Sequence, residues 1–80
     1  GQGVMTEALR TVIAVGFEQL ELHRIESFHA PENIGSGRVM EKAGMQYEGT
    51  LRDYELLPNG RYVDSKVYSI LATDYFKVEV

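Results

Sequence analysis

The chain has no cysteine and no tryptophan, and only two of its 80 residues are proline. The missing thiols exclude disulfide staples, zinc–thiolate sites and cysteine nucleophiles, and they accord with a reducing compartment, so a cytoplasmic location is expected. Basic charge is also scarce: eight Lys and Arg against twelve Asp and Glu leave a formal net charge of −4. That balance argues against a nucleic-acid surface or an anionic membrane as the main partner. No apolar run reaches the ~18 residues that a membrane span needs, and no secretory leader is visible. There is no repeat, low-complexity tract or linker. What remains is ordinary for a globular protein, with 44% apolar and 25% charged residues. Eighty residues allow one small domain with a marginal core.

Hydrophobic spacing divides the chain into five elements. Met5, Leu9, Val12, Ile13, Gly16 and Leu20 recur at three- and four-residue steps, which predicts a helix from Gly3 to about Leu20. His23 to His29 reads as a short strand, marked by Ile25 and Phe28 and stopped by Pro31. Asn33 is an N-cap candidate for a second helix to about Ala43, with Gly44 at the left-handed exit. Met45–Leu57 and Tyr62–Leu71 form the arms of a hairpin around the turn signal Pro58-Asn59-Gly60. The order helix-strand-helix-strand-strand predicts an α/β (α+β) layer, helices packed on a sheet. Only the hairpin is available to pair with the first strand. Its other edge is left bare, which points to strands preceding Gly1 or to a second copy of the chain covering that edge.

Two segments carry chemistry. Gly1-Gln2-Gly3-Val4-Met5-Thr6 feeds a glycine-rich turn directly into a helix. Unpaired N–H groups and the helix dipole make such a start attractive to anions, and Gly3 has no Cβ to block a phosphate. The same pair of glycines also makes a plain turn. It lacks the Gly-Lys-Ser/Thr of a nucleotide phosphate loop and the third glycine of a dinucleotide site. The second segment is Asn33-Ile34-Gly35-Ser36-Gly37-Arg38-Val39-Met40-Glu41-Lys42-Ala43-Gly44-Met45. Here Asn33 and Ser36 suit helix capping, ligand contact, or both.

Together, and with Leu22-His23-Arg24-Ile25-Glu26, Glu48-Gly49-Thr50-Leu51-Arg52 and Asp64-x-x-x-Tyr68-Ser69-Ile70-Leu71, these blocks resemble the C-terminal half of a GNAT-superfamily N-acetyltransferase, in the RimJ/RimL-like branch that acetylates ribosomal-protein N-termini. The resemblance covers essentially the whole chain and implies a mixed sheet whose N-terminal strands are missing, so residues 1–80 are expected to be the C-terminal part of one such domain. It implies acetyl-CoA as cosubstrate and an amine as acceptor. Backbone N–H groups of Gly1, Gly3, Val4, Met5 and Thr6 are implied to face the cofactor's diphosphate, with the Thr6 hydroxyl as a further donor. Met5 departs from the Gly or Ala expected at its place in the family's Gln/Arg-x-x-Gly-x-Gly/Ala signature. Asn33 matches the residue that holds the pantetheine arm, and Ser36 matches a serine near the thioester sulfur in this branch. Many relatives place a tyrosine where Met40 stands, so Ser36 is the implied proton or hydrogen-bond donor to the departing thiolate. Arg38 is implied at a cofactor phosphate, although a solvated surface charge is the simpler reading of it. The general base is expected on earlier strands, and no residue here is assigned to it.

His23 and His29 read as structural, His29 with a minor claim to a proton role because it closes the strand beside the cofactor. With Glu26 or Glu32 they lack metal-ligand spacing, and no metal is expected. The five tyrosines suit cross-strand packing better than base stacking. Two rival functions stay open: a non-catalytic piece that binds a coenzyme A-like anion or a strand, and acetylation of a small-molecule amine.

Overall fold

The computed structural model describes residues 1–77 of the chain. The elements run α1 (Gln2–Glu18), β1 (Arg24–His29), α2 (Ile34–Lys42), β2 (Gln46–Leu56), β3 (Tyr62–Leu71) and a short α3 (Ala72–Tyr75). The five expected elements are present in the expected order. The turn α3 was not foreseen. It forms because the Asp74 carboxylate accepts the Leu71 N–H at 3.0 Å, and because Tyr75 and Phe76 pack on Phe17 with centroids 5.2 and 6.4 Å away. No helix among the described residues is long and apolar enough to cross a membrane.

The strands form one sheet in the order β1-β3-β2. Both pairings are antiparallel, with Ile25 opposite Ile70 and Tyr47 opposite Tyr68. The parallel pair of a mixed sheet is therefore absent among the described strands, and β1 has one edge without a described neighbour. Between β2 and β3 the chain turns as Pro58-Asn59-Gly60 predicts: Gly60 has φ +87° and Asn59 Oδ1 accepts the Arg61 N–H at 2.9 Å. Helix α2 ends on Gly44 at φ +96°. There Met45 N–H donates to Met40 O and Gly44 N–H to Glu41 O, both at 3.0 Å. This paired closure satisfies two carbonyls that the helix end leaves open.

Helix α1 differs most from expectation. It ends at Glu18 rather than Leu20, and Glu21 adopts φ +54° as the chain turns back. Its buried line is Thr6, Ile13, Gly16 and Phe17, with Leu9 at the margin, while Met5, Val12 and Leu20 are 57–64% exposed. The apolar stripe is wider than the surface it meets, so its second flank stays open. Ile13 and Phe17 join Met40, Met45, Tyr68 and Ile70 in the core. On β1 the side chains alternate. Ile25, Ser27 and His29 turn toward the helices, and Arg24, Glu26 and Phe28 turn away.

On that other face one guanidinium ties the sheet together. Arg24 donates through Nη1 and Nη2 to both oxygens of Glu48 at 2.8 and 2.7 Å, and through Nε to Glu26 at 3.1 Å. The Ser69 hydroxyl also donates to Glu48, so β1, β2 and β3 share one polar joint. Hydrogen bonds from Arg24 and then Ser69 pull the Glu48 carboxyl down from 4.5 to about 2.

Two measurements check this packing. Ile13→Ala should lower the unfolding free energy by about 2–5 kcal/mol, most of what a small domain has. Val12→Ala should change it by less than about 0.5 kcal/mol. Urea melts giving equal losses would mean that both flanks of α1 are buried. The Glu48 carboxyl is lowered on folding, so its contribution is present above about pH 4.5 and disappears as pH falls toward 2. Stability followed by circular dichroism should decline across that window, and Glu48→Gln should flatten the decline. An unchanged acid limb would show that the joint is not formed in solution.

Candidate cofactor and active site

Helix α1 starts at Gln2 with Gly1 as its cap residue and no side chain closing the end. An α-helix leaves its first N–H groups without internal partners. The backbone donors of Gly3 and Val4 fall in this first turn, and Gly1 precedes it. Met5 N–H is turned to the Gly1 carbonyl at 3.3 Å, and the helical pattern spends the Thr6 N–H in the same way. So of the five main-chain donors expected to face an anion, Met5 and Thr6 are used inside the helix.

The Thr6 hydroxyl is a second departure. Thr6 is only 5% exposed, and its Oγ1 is buried with no hydrogen-bond partner. It faces inward because residue 6 lies on the same helical line as Ile13 and Phe17. The side chains of Val4 and Met5 are exposed.

Gly3 is the informative residue of this mouth. A Cβ built on it meets nothing within 4 Å. Its φ is not positive either, so neither packing nor backbone conformation requires a glycine. Glycine within a helix costs roughly 0.5–1 kcal/mol relative to alanine. The other two helical contacts differ in kind. At Gly16 a Cβ would stand 2.6 Å from Ile25 Cδ1, and at Gly37 it would stand 2.9 Å from His29 Nε2 and 3.1 Å from the Tyr68 hydroxyl. Those glycines serve close packing, whereas the room at Gly3 opens outward.

The second cluster lies where β1 passes into α2. Asn33 caps α2: its Oδ1 accepts the Ser36 N–H at 3.3 Å. Its side-chain NH₂ stays available, and Asn33 is exposed. Ser36 is half-buried, and its hydroxyl makes no hydrogen bond to the described residues. Arg38 is exposed and forms no ion pair among the described residues. The two helices are held together by the core and by Arg10, whose Nη2 donates to the Lys42 carbonyl at 2.8 Å.

His29 proves to be the hinge of this corner. It is 9% exposed, its Nδ1 bonds the Ala30 carbonyl at 2.7 Å, and its ring stacks on Tyr68 at 5.4 Å. A carbonyl only accepts, so Nδ1 is the donor, and Nε2 is buried without a partner against Gly37. Tyr68 in turn donates to Glu41 at 3.5 Å, and burial followed by the Glu41 charge pushes its hydroxyl above the usual tyrosine range. The sequence signal for this joint was the glycine at position 37 inside a helical run, which marks a close approach.

An open helix start can hold a diphosphate through main-chain N–H groups. A capping asparagine with its amide NH₂ unspent can hold a carbonyl of an extended arm. The donor set fits coenzyme A. Among known families, the model described as "Acetyltransferase (GNAT) domain" matches residues 1–46. The Bacillus subtilis (strain 168) protein named "Probable N-acetyltransferase YjcK" is 47% identical over 74 residues, covering 92% of this chain and 40% of the relative. The "[Ribosomal protein uS5]-alanine N-acetyltransferase" of Escherichia coli (strain K12) is 32% identical over 75 residues, covering 94% of this chain and 38% of that protein. A crystallised spermidine N-acetyltransferase mutant from Vibrio cholerae superposes with TM-score 0.86 at 31% identity, covering 96% of this chain and 44% of the other. The chain thus spans about two fifths of the length of the curated relatives it matches. With the family model matched over more than half of its residues, the chain belongs to the GNAT acetyltransferase family.

Proposed function

We propose that this chain is the cofactor-holding, C-terminal part of a single GNAT domain that moves an acetyl group from acetyl-CoA to an amine. The carrying observation is the unobstructed space at Gly3, which no feature of the fold requires. The first-turn N–H groups of Gly3 and Val4, with Gly1 beside them, hold the diphosphate. Asn33 binds the pantetheine arm through its free NH₂ while its oxygen caps α2. Arg38, exposed on the same helix and without an ion pair among the described residues, is the cation for a cofactor phosphate.

Acetyl-CoA supplies an activated thioester whose carbonyl an uncharged amine attacks. As the C–S bond breaks, the sulfur takes up negative charge. Ser36 stands one turn into α2 with an unpaired hydroxyl and is the donor to that sulfur. The amine proton leaves to a base outside this chain. The acceptor is a protein N-terminal amine, by analogy with the uS5-alanine relative. The structural similarity to a spermidine N-acetyltransferase favours a second reading, a small polyamine acceptor. The reaction is assigned to the cytoplasm. The open edge of β1 seats either another strand of the same domain or a second copy of the chain.

Calorimetric titration with coenzyme A should give saturable binding that Gly3→Glu abolishes. Equal heats from both proteins would remove the α1 mouth from the site. Asn33→Asp keeps the capping oxygen and deletes the NH₂ donor. It should leave thermal stability within about 0.5 kcal/mol and weaken coenzyme A several-fold, the worth of one hydrogen bond. Unchanged affinity would leave Asn33 a cap alone. In the acetylating protein, Ser36→Ala should lower kcat about tenfold or more with coenzyme A binding intact. An unaltered kcat would exclude Ser36 from the chemistry.

A further inference from the structure

The sheet face turned away from α1 and α2 holds an aromatic pair. Phe28 of β1 stacks on Tyr54 of β2 with ring centroids 5.6 Å apart and planes 17° from parallel. Both rings are partly exposed, 39% for Phe28 and 55% for Tyr54. They stand between two adjoining hollows. One, of about 390 Å³, is bounded by Glu26, Glu48 and Val67, and the other, of about 240 Å³, reaches Glu55 and Ser65.

The charges there do not cancel. Arg24 is shared by the two carboxylates of Glu26 and Glu48, so that joint keeps a surplus negative charge. Glu55 adds another and forms no ion pair among the described residues. No lysine or arginine lines either hollow. A flat aromatic surface flanked by surplus carboxylate suits an aliphatic stem that ends in a cation. The methylenes lie on the rings, and the charged head reaches the carboxylates.

Position supplies the rest. Phe28 precedes Asn33 by five residues and faces the opposite side of β1 from His29. Under the acetyl-transfer reading the thioester lies near Asn33 and Ser36, and an acceptor peptide that crosses the open face of β1 to reach it passes the Phe28–Tyr54 pair. We infer that this trough selects the acceptor, binding a lysine or arginine side chain within a few residues of the N-terminal amine of a peptide. The inference rests on the acetyl-transfer reading, but its test does not need coenzyme A.

The test titrates the ¹⁵N-labelled chain with two short peptides, one Ala-Lys-Lys and one Ala-Gln-Gln at its N-terminus. The basic peptide should bind at least fivefold more tightly and shift the amide signals of Phe28, Tyr54 and Glu55, leaving Gly3 and Val4 in place. Glu55→Lys, an exposed substitution, should abolish the preference, and Tyr54→Ala should weaken the basic peptide by a similar factor. Equal binding of the two peptides overturns the inference, as do shifts confined elsewhere. Tighter binding of spermidine than of the basic peptide also overturns it, because the trough then belongs to a free polyamine. A chain that binds the basic peptide here but not coenzyme A supports the trough and contradicts the acetyl-transfer reading.

Discussion

Burial of Ile13 and Phe17 against Met40, Met45, Tyr68 and Ile70 fixes how two helix starts are presented to a ligand. The contact joins α1, α2 and β3 in one apolar layer. Two glycines let the helices come close enough for it. Gly16 lets α1 ride over Ile25, and Gly37 lets α2 settle on His29 and Tyr68. Gly3 and the Asn33 side-chain NH₂ take no part in this layer, although Asn33 Oδ1 caps α2. The fold thus separates residues that pack from residues whose donors stay open, although both sit on the same two helices.

The two faces of the sheet divide the work further. One face is apolar and covered by helices. The other is tied by Arg24 to Glu48 and Glu26 and carries Phe28 and Tyr54 in the open. β1 contributes to both by simple alternation, His29 inward and Phe28 outward.

Much of this was legible in the residues, and the misses have physical causes. The α2 boundaries followed from Asn33 and Gly44, because capping and left-handed exits depend on local chemistry alone. The hairpin followed from Pro58-Asn59-Gly60 for the same reason. The face of α1 did not. Its apolar stripe is broad, and only tertiary packing decides that Phe17 is buried while Val12 and Leu20 are exposed. That choice also left the Thr6 hydroxyl buried without a partner among the described residues. The Met5 N–H was lost to the helix because α1 starts at Gln2, one residue before the expected Gly3, which brings Met5 into the first i→i−4 bond. The Phe28–Tyr54 pair joins strands that are not neighbours in the sheet, so it is invisible in a linear reading.

In the proposed reading, one extended ligand spans the start of α1 and the cap of α2. Nuclear magnetic resonance reports on both ends at once. On adding coenzyme A to the ¹⁵N-labelled chain, the backbone amides of Gly3 and Val4 and the side-chain amide of Asn33 should shift along one common saturation curve. Saturation at other residues with these three signals unmoved, or separate curves for the two helices, would contradict it.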